Sequence, residues 1–473
     1  MNILFAAAEA APFCATGGLG DVIGALPKAI SQLGNTVSVI IPKYRVIPTE
    51  LLAGTKNVCE LSFSLGWRKT GARIFVTKHD GIDFYLVEND YYFDRPSIYG
   101  NADDGERFAF FSMAIIEFVR SYLCDTQILH TNDWHTALCN VYLKTLYSED
   151  TALNDLKNVF TIHNVEFQGK FDPYLLGDII GLDERYKHIL EYDGCLNLMK
   201  GALVCADRVT VVSQRYANEL EYDYFGFGLS PIIKQCSGKL VGILNGIDKT
   251  SFSPQNSTNI FYPYGKRDCI SGKEKNKHAL FKELGITQDK DRALAVMITR
   301  LTDQKGIDLI IHILNELLEE NINMIILGSG DKKYEEELKH IASLHDNFYL
   351  RIGFDRNLSK KLYAAADIFI MPSKSEPCGL SQMIACSYGT VPVVRSVGGL
   401  SDTIIPYGQD ESNGFTFNNY NAHELLYTIK HALSVKQNKR EWRALMLRCM
   451  SRDFSWETSA VKYENLYKEI LYS

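Results

Sequence analysis

Ile3-Leu4-Phe5-Ala6, then Thr16-Gly17-Gly18-Leu19-Gly20-Asp21, then the helix-like stretch 22–33, open the chain and decide how the rest is read. An apolar run, a glycine-rich turn and a helix in that order form a strand–loop–helix unit. Adjacent glycines let the backbone turn tightly and bring its N–H groups near a ligand, and a helix start favours an anion. A diphosphate is the natural guest. The spacing is not the GxGxxG dinucleotide fingerprint, and glycines in such a place equally serve a plain tight turn.

The same rhythm continues outward. Strand candidates follow at Val37-Ser38-Val39-Ile40-Ile41, Arg73-Ile74-Phe75-Val76, Phe84-Tyr85-Leu86-Val87, Gln127-Ile128-Leu129-His130, Asn158-Val159-Phe160-Thr161-Ile162 and Arg208-Val209-Thr210-Val211-Val212. Apolar runs alternating with helical stretches predict a parallel-sheet α/β architecture. A second series begins at Leu294-Ala295-Val296-Met297-Ile298 and continues through Met324-Ile325-Ile326-Leu327, Ile368-Phe369-Ile370-Met371 and Val391-Pro392-Val393-Val394. Between the two series, residues 248–268 are rich in Ser, Pro, Asn and Tyr, and a hinge is expected there. A chain of 473 residues also exceeds the roughly 250–300 that one core supports. The expected fold is two doubly wound, Rossmann-like α/β domains facing each other across a deep cleft: residues 1–247, residues 248–454, and a terminal helix 455–473 packing back on the first domain. That helix places Trp456, Tyr463, Leu466, Tyr467 and Ile470 on one broad face.

A net charge of −7 and a pI near 5.9 argue against a nucleic-acid partner, which requires a basic face. The 11 cysteines are scattered without a CxxC pair, so neither a disulfide framework nor a zinc site is expected. Residues 1–14 are apolar but lack a basic start and carry Glu9, unlike a secretory leader, and no apolar run approaches the ~18 residues of a membrane helix. A cytoplasmic protein with reduced thiols and no membrane partner is expected.

Four further stretches carry chemistry. Arg300 and Lys305, just past the strand that opens the second series, suit a diphosphate leaving group, because developing negative charge needs fixed positive partners. An exposed basic loop is the plainer reading. Glu376, in Ser373-Lys374-Ser375-Glu376-Pro377-Cys378-Gly379-Leu380-Ser381, follows the strand ending at Met371. Its carboxylate can hold sugar hydroxyls, or simply cap the helix expected over 380–387. His163 and Asn164 follow the strand ending at Ile162, and His130-Thr131-Asn132-Asp133-Trp134-His135 follows the one ending at Leu129. Polar and aromatic side chains at neighbouring strand ends suit a carbohydrate. No metal-ligand spacing accompanies them. Leu244-Asn245-Gly246-Ile247-Asp248 reads by itself as an Asn-Gly turn.

These blocks together resemble the bacterial glycogen synthase and plastid starch synthase family: Thr16-Gly17-Gly18-Leu19, Asp133-Trp134-His135, Ile162-His163-Asn164, Leu244-Asn245-Gly246-Ile247-Asp248, Arg300-Leu301 with Gln304-Lys305-Gly306, and Glu376-Pro377-Cys378-Gly379-Leu380. The resemblance implies the two-domain GT-B architecture and transfer of glucose from ADP-glucose to the non-reducing end of an α-1,4-glucan, with retention of configuration and no metal or cofactor. It implies a catalytic set of Glu376, His163, Arg300 and Lys305. It places Gly17, Gly18, Asp21, Asn164, Asn245, Phe354, Cys378, Gly379, Leu380 and Ser381 on the donor, and Asp133 with Trp134 on the acceptor side. Two departures bear on the donor. Ala15 stands where the family usually has Lys, and Phe354 where a Tyr commonly stacks on the base, so UDP-glucose is kept as a second donor. A catalytically weak glucan-binding or priming protein of the same fold is the alternative from another class. A glucan phosphorylase would need pyridoxal phosphate on a lysine, for which there is no local signature.

Overall fold

The computed structural model describes residues 1–286 and 292–472. Contacts divide the chain into two compact units, Met1–Gly246 with Trp456–Ser473, and Ile247–Ser455. Of the terminal segment, residue 473 lies outside the described residues. No described helix is long and apolar enough to cross a membrane.

The first unit carries strands β1 (Asn2–Ala6), β2 (Thr36–Pro42), β3 (Lys56–Leu65), β4 (Arg68–His79), β5 (Ile82–Glu88), β6 (Ile128–Asn132), β7 (Lys157–Ile162), β8 (Lys170–Phe171), β9 (Glu191–Tyr192), β10 (Cys195–Asn197), β11 (Arg208–Val211) and β12 (Leu240–Gly242). Nine of them form one sheet in the order β12-β11-β7-β6-β1-β2-β5-β4-β3, while β8, β10 and β9 make a small separate one. β1 lies centrally, parallel to both β2 and β6, with Phe5 opposite Val39 on one side and His130 on the other. Leu4, Phe5 and Ala6 are wholly buried, as expected of a strand covered on both faces.

One expectation is corrected at the sheet edge. The run Arg73–Val76 is not parallel to its neighbours: β4 pairs antiparallel with both β3 and β5, whereas Phe84–Val87 in β5 pairs parallel with β2. The connection between β4 and β5 is Asp80-Gly81, with φ of 49° and 84°. Asp-Gly with both φ positive is the signature of a tight hairpin, which leaves no room for the crossover a parallel pair requires.

The terminal helix Trp456–Tyr472 belongs to the first unit and buries Trp456, Tyr463, Leu466, Tyr467 and Ile470 there. Burial of such side chains contributes about 1.5–3 kcal/mol each. The hydroxyl of Tyr467, 2.6 Å from His130 Nδ1, adds only about 1 kcal/mol but fixes the register of the helix.

The second unit holds β13 (Ala293–Ile298), β14 (Ile322–Gly328), β15 (Phe348–Ile352), β16 (Ile368–Met371), β17 (Val391–Arg395) and β18 (Phe415–Phe417). All are parallel in the order β15-β14-β13-β16-β17-β18. That is the doubly wound order, with the winding reversing between β13 and β16. Residues 248–268 carry no helix or strand. They are held to this unit by Tyr264, whose buried hydroxyl donates to the carbonyls of Ala364 and Tyr388.

Candidate functional site

In an open α/β sheet, ligands bind beyond the strand C-termini where the winding direction reverses. In the first unit that point lies between β1 and β6, whose C-terminal ends lead into the glycine loop and Asp133. In the second it lies between β13 and β16, which lead to Arg300 and Glu376. Each unit thus presents part of its candidate set at its own switch point, while His163 and Asn164 follow β7, Asn245 follows β12 and Phe354 follows β15.

Beyond β1, Glu9 is 2% exposed and its carboxylate braces the glycine loop. It accepts from Thr16 N at 2.6 Å, Thr16 Oγ1 at 2.8 Å and Gly20 N at 3.3 Å. Burial pushes this carboxyl above its usual range, while the same hydrogen bonds oppose the shift. In the sequence Glu9 counts only against a secretory leader and is not among the candidate site residues. The signal for it is a charge inside an apolar run, a costly placement unless partners await it. The helix begins at Gly18 rather than at residue 22, so Gly18, Leu19, Gly20 and the exposed Asp21 form its first turn.

The loop's glycines serve two different ends. A Cβ at Gly20 would lie 2.5 Å from Ala15 Cβ, and one at Gly24 would lie 2.7 Å from the Ala11 carbonyl oxygen, so both are needed for close packing. A Cβ at Gly17 or Gly18 would meet nothing within 4 Å. Their bareness is not demanded by the fold and leaves the backbone open to a ligand. Ala15 is exposed beside them.

At the end of β6 the polar cluster is smaller than the sequence indicates. The strand runs on through Asn132, so His130, Thr131 and Asn132 are buried inside it. His130 is held between Tyr467 Oη and Thr161 Oγ1, each at 2.6 Å, and His135 packs against the rings of Tyr99, Phe108 and Trp134. Burial lowers both imidazoles to about 3, which keeps them neutral core groups. Asp133 and Trp134 remain at the edge.

Asp133 has φ 55° and ψ 179°, a sparsely populated conformation for a residue with a side chain. Its Oδ1 accepts from the His163 backbone N–H at 2.8 Å, and His163 Nε2 pairs with Asn132 Oδ1 at 2.9 Å. These bonds lock the ends of β6 and β7 together. Burial raises Asp133 to about 7, against the pull of the backbone N–H groups of His163 and Asn164, and lowers His163 to about 3. His163 is therefore neutral near pH 7, donating from Nε2 to the amide oxygen and leaving Nδ1 as an acceptor. Asn164 turns its own side chain back to accept from Glu166 N at 3.1 Å. Asn245, past β12, is 5% exposed, and its Oδ1 is buried without a partner among the described residues. A buried carbonyl oxygen left so is uncommon and marks a place where a ligand donor fits.

In the second unit, Arg300 lies exposed just past β13, with its Nη2 at 3.4 Å from Gln304 Oε1. Lys305 turns inward. Gly306, at φ 71°, makes this possible: a Cβ there would lie 2.3 Å from the Pro372 carbonyl oxygen, so only glycine lets the two loops close together. Lys305 Nζ reaches Glu376 Oε2 at 2.5 Å, and Ser373 Oγ donates to the same oxygen at 3.0 Å.

The loop after Glu376 is equally fixed. Gly399 N donates to the Glu376 carbonyl at 3.0 Å, and a Cβ at Gly399 would lie 2.1 Å from the Cys378 carbonyl oxygen. Gln382 Nε2 reaches the carbonyls of Cys378 at 3.1 Å and Gly379 at 2.8 Å. Gly379 takes φ 72°, Cys378 is buried, and Leu380 precedes the short helix Ser381–Ser387. Phe354 follows β15 through Gly353 and is 86% exposed, a large ring left in solvent. No described group of three or more His, Cys, Asp and Glu side chains could hold a metal ion.

The sequence and fold match known proteins along their whole length. The starch synthase catalytic domain family model matches residues 2–235, and the glycosyl transferases group 1 model matches residues 280–444. A glycogen synthase of Bacillus cereus is 42% identical, the match covering 100% of each chain. One from Streptococcus agalactiae is 44% identical over 99% of this chain and 100% of its own. The structure of the catalytic domain of starch synthase IV from Arabidopsis thaliana, bound to ADP and acarbose, superposes with a TM-score of 0.91 at 33% identity, covering 100% of this chain and 99% of that one. Sucrose-phosphate synthase from Thermosynechococcus elongatus, at 17% identity and a TM-score of 0.64, shares the fold. The chain belongs to the glycogen synthase and starch synthase family of two-unit α/β glycosyltransferases.

Proposed function

We propose that this protein transfers glucose from ADP-glucose to the non-reducing end of an α-1,4-glucan, with retention of configuration and release of ADP. The observation that carries this reading is the Lys305–Glu376 pair, with Arg300 on the same loop as Lys305, at the switch point of the second unit, where ligands bind in such sheets. Arg300 and Lys305 hold the diphosphate. The hydrogen bonds from Lys305 and Ser373 to the Glu376 carboxylate both fall on Oε2, which leaves Oε1 to accept from glucose hydroxyls. Neutral His163 and the unpaired Asn245 oxygen add donor-side hydrogen bonds, Gly17 and Gly18 offer open backbone to the phosphates, and Phe354 stacks on the base. Asp133 and Trp134 serve the acceptor.

The bond from the anomeric carbon to the diphosphate oxygen breaks as the acceptor hydroxyl oxygen bonds to that carbon from the same face. The hydroxyl proton passes to the departing phosphate oxygen. Charge grows on that oxygen, and fixed cations act on it more strongly in the transition state than before. A double displacement requires two carboxylates about 5 Å apart, whereas the resemblance supplies one strong candidate, Glu376, without an obvious partner carboxylate.

ADP rather than UDP is supported by the ADP in the Arabidopsis structure, and Ala15 in place of the usual Lys makes the donor the point to test. Incorporation of labelled glucose into glycogen is measured from ADP-glucose and UDP-glucose in parallel, with and without primer. Faster transfer from ADP-glucose is expected. Transfer from neither would return the protein to the role of a glucan-binding or priming protein.

A further inference from the structure

Gln382 is wholly buried in the short helix Ser381–Ser387, and the two ends of its amide fare differently. The Nε2 group donates to three acceptors: the carbonyls of Cys378 at 3.1 Å and Gly379 at 2.8 Å, and Thr403 Oγ1 at 3.2 Å. Oε1 is buried without a partner among the described residues. Exchanging the two ends would set an amide oxygen against two carbonyl oxygens, so those carbonyls fix the orientation. A buried amide oxygen left unpaired is a cost to stability, and such departures concentrate where function requires them.

The two carbonyls held by Gln382 belong to consecutive trans peptide groups. In a planar trans peptide the N–H points away from the C=O. Drawing both carbonyls inward therefore turns the N–H groups of Gly379 and Leu380 the other way. Neither N–H has a partner among the described residues, and both residues are only half-buried. Gly379 takes φ 72°, and a Cβ on it would lie 2.6 Å from Gln382 Oε1, so the turn and the amide require each other. Thr403 steadies the amide from the far side. Its Oγ1 donates to the Gly399 carbonyl at 2.7 Å and accepts from Nε2, while Gly399 N donates to the Glu376 carbonyl at 3.0 Å. One buried amide thus ties the Glu376 turn to the two open N–H groups that follow it.

We propose that Gln382 is a positioning residue for glucose transfer: by holding the Cys378 and Gly379 carbonyls it aims the Gly379 and Leu380 N–H groups at the terminal phosphate of the nucleoside diphosphate. The proposal rests on the ADP-glucose reading of the function. Glu376, assigned to the glucose, lies on the same turn, and glucose is attached to the terminal phosphate. Fixed N–H donors act most strongly on an oxygen whose negative charge grows in the transition state, and the oxygen that leaves glucose is such a one.

Gln382→Met keeps the length of the side chain without its N–H groups, and circular dichroism of the full-length variant verifies folding. Affinities for ADP and AMP are measured by calorimetry, and turnover with ADP-glucose and glycogen. The ADP dissociation constant should rise roughly fivefold or more, that of AMP, which lacks the terminal phosphate, less than about twofold, and turnover should fall roughly tenfold or more. An unchanged ADP dissociation constant overturns the role, and so does turnover within about threefold of wild type. An equal loss for ADP and AMP overturns it in favour of a merely structural glutamine. Where Gln382→Met does not fold, Thr403→Val, which deletes the shared hydroxyl, is compared with Thr403→Ser, which keeps it. A selective loss of ADP affinity confined to Thr403→Val is expected, and equal values for the two variants overturn the role. If the wild type transfers no glucose yet Gln382→Met loses ADP affinity selectively, the proposed function fails while the aiming of the N–H groups by Gln382 stands.

Discussion

Lys305 Nζ and Glu376 Oε2 lie 2.5 Å apart across 71 residues of sequence, with their side chains 13% and 8% exposed. Removing one partner of such a pair leaves the other charge poorly solvated, at a cost of about 3–5 kcal/mol when burial is complete. Lys305→Ala and Glu376→Ala should each lower the urea midpoint, and the double variant should lose less than the sum of the two. Strictly additive midpoint shifts would show that the pair is not coupled. Turnover of each single variant should fall roughly a hundredfold to a thousandfold.

Arg300 is exposed and among the described residues its side chain makes one long contact, to Gln304, so it contributes little to the fold. Arg300→Ala should leave stability within about 0.5 kcal/mol. Its turnover should drop about a hundredfold or more, through loss of a charge partner for the leaving phosphate. Turnover within threefold of wild type would remove Arg300 from the mechanism.

Phe354, 86% exposed, likewise serves no core. Base stacking on an aromatic ring contributes about 1–3 kcal/mol, so Phe354→Ala should raise the donor KM from roughly fivefold to a hundredfold at unchanged melting temperature. An unaltered donor KM would place the base elsewhere.

Ala15 adjoins the open backbone of Gly17 and Gly18 and is itself exposed, so a longer side chain fits there. Ala15→Lys should lower the donor KM or raise turnover by adding a cation near the phosphates. Steady-state kinetics that match wild type in both would deny this position a donor contact.

Asp133 has a folded-state pKa of about 7 against an ordinary value of 3.8, with burial as the main cause. The folded state therefore holds the proton more tightly than the unfolded chain. The associated stability is fully present below about pH 4 and is lost as pH rises towards 7. Asp133→Asn cannot ionise and keeps an acceptor for His163 N–H. Its stability relative to wild type should increase between pH 4 and 7 and level off above, as read by denaturant titration across that range. A difference that stays flat with pH would mean that Asp133 ionises normally. His163, lowered to about 3, should produce no inflection in the rate between pH 5 and 8.

The sequence by itself determined the α/β class, the central strands and the residues at their ends, because apolar runs buried on both faces followed by glycine or charge are local patterns. Ile368–Met371 reads as a strand from its composition alone, and Arg300, Glu376 and His163 are visible just past such runs. The Asp80-Gly81 hairpin was equally legible but was masked by the parallel rhythm around it. What only the tertiary structure decided is pairing and burial. That Lys305 meets Glu376, that His130 is a core residue tied to Tyr467, and that Glu9 braces the glycine loop depend on contacts between distant segments. The energies of those contacts come from desolvation and partner geometry, and neither is set until the sheets bring the strand ends together.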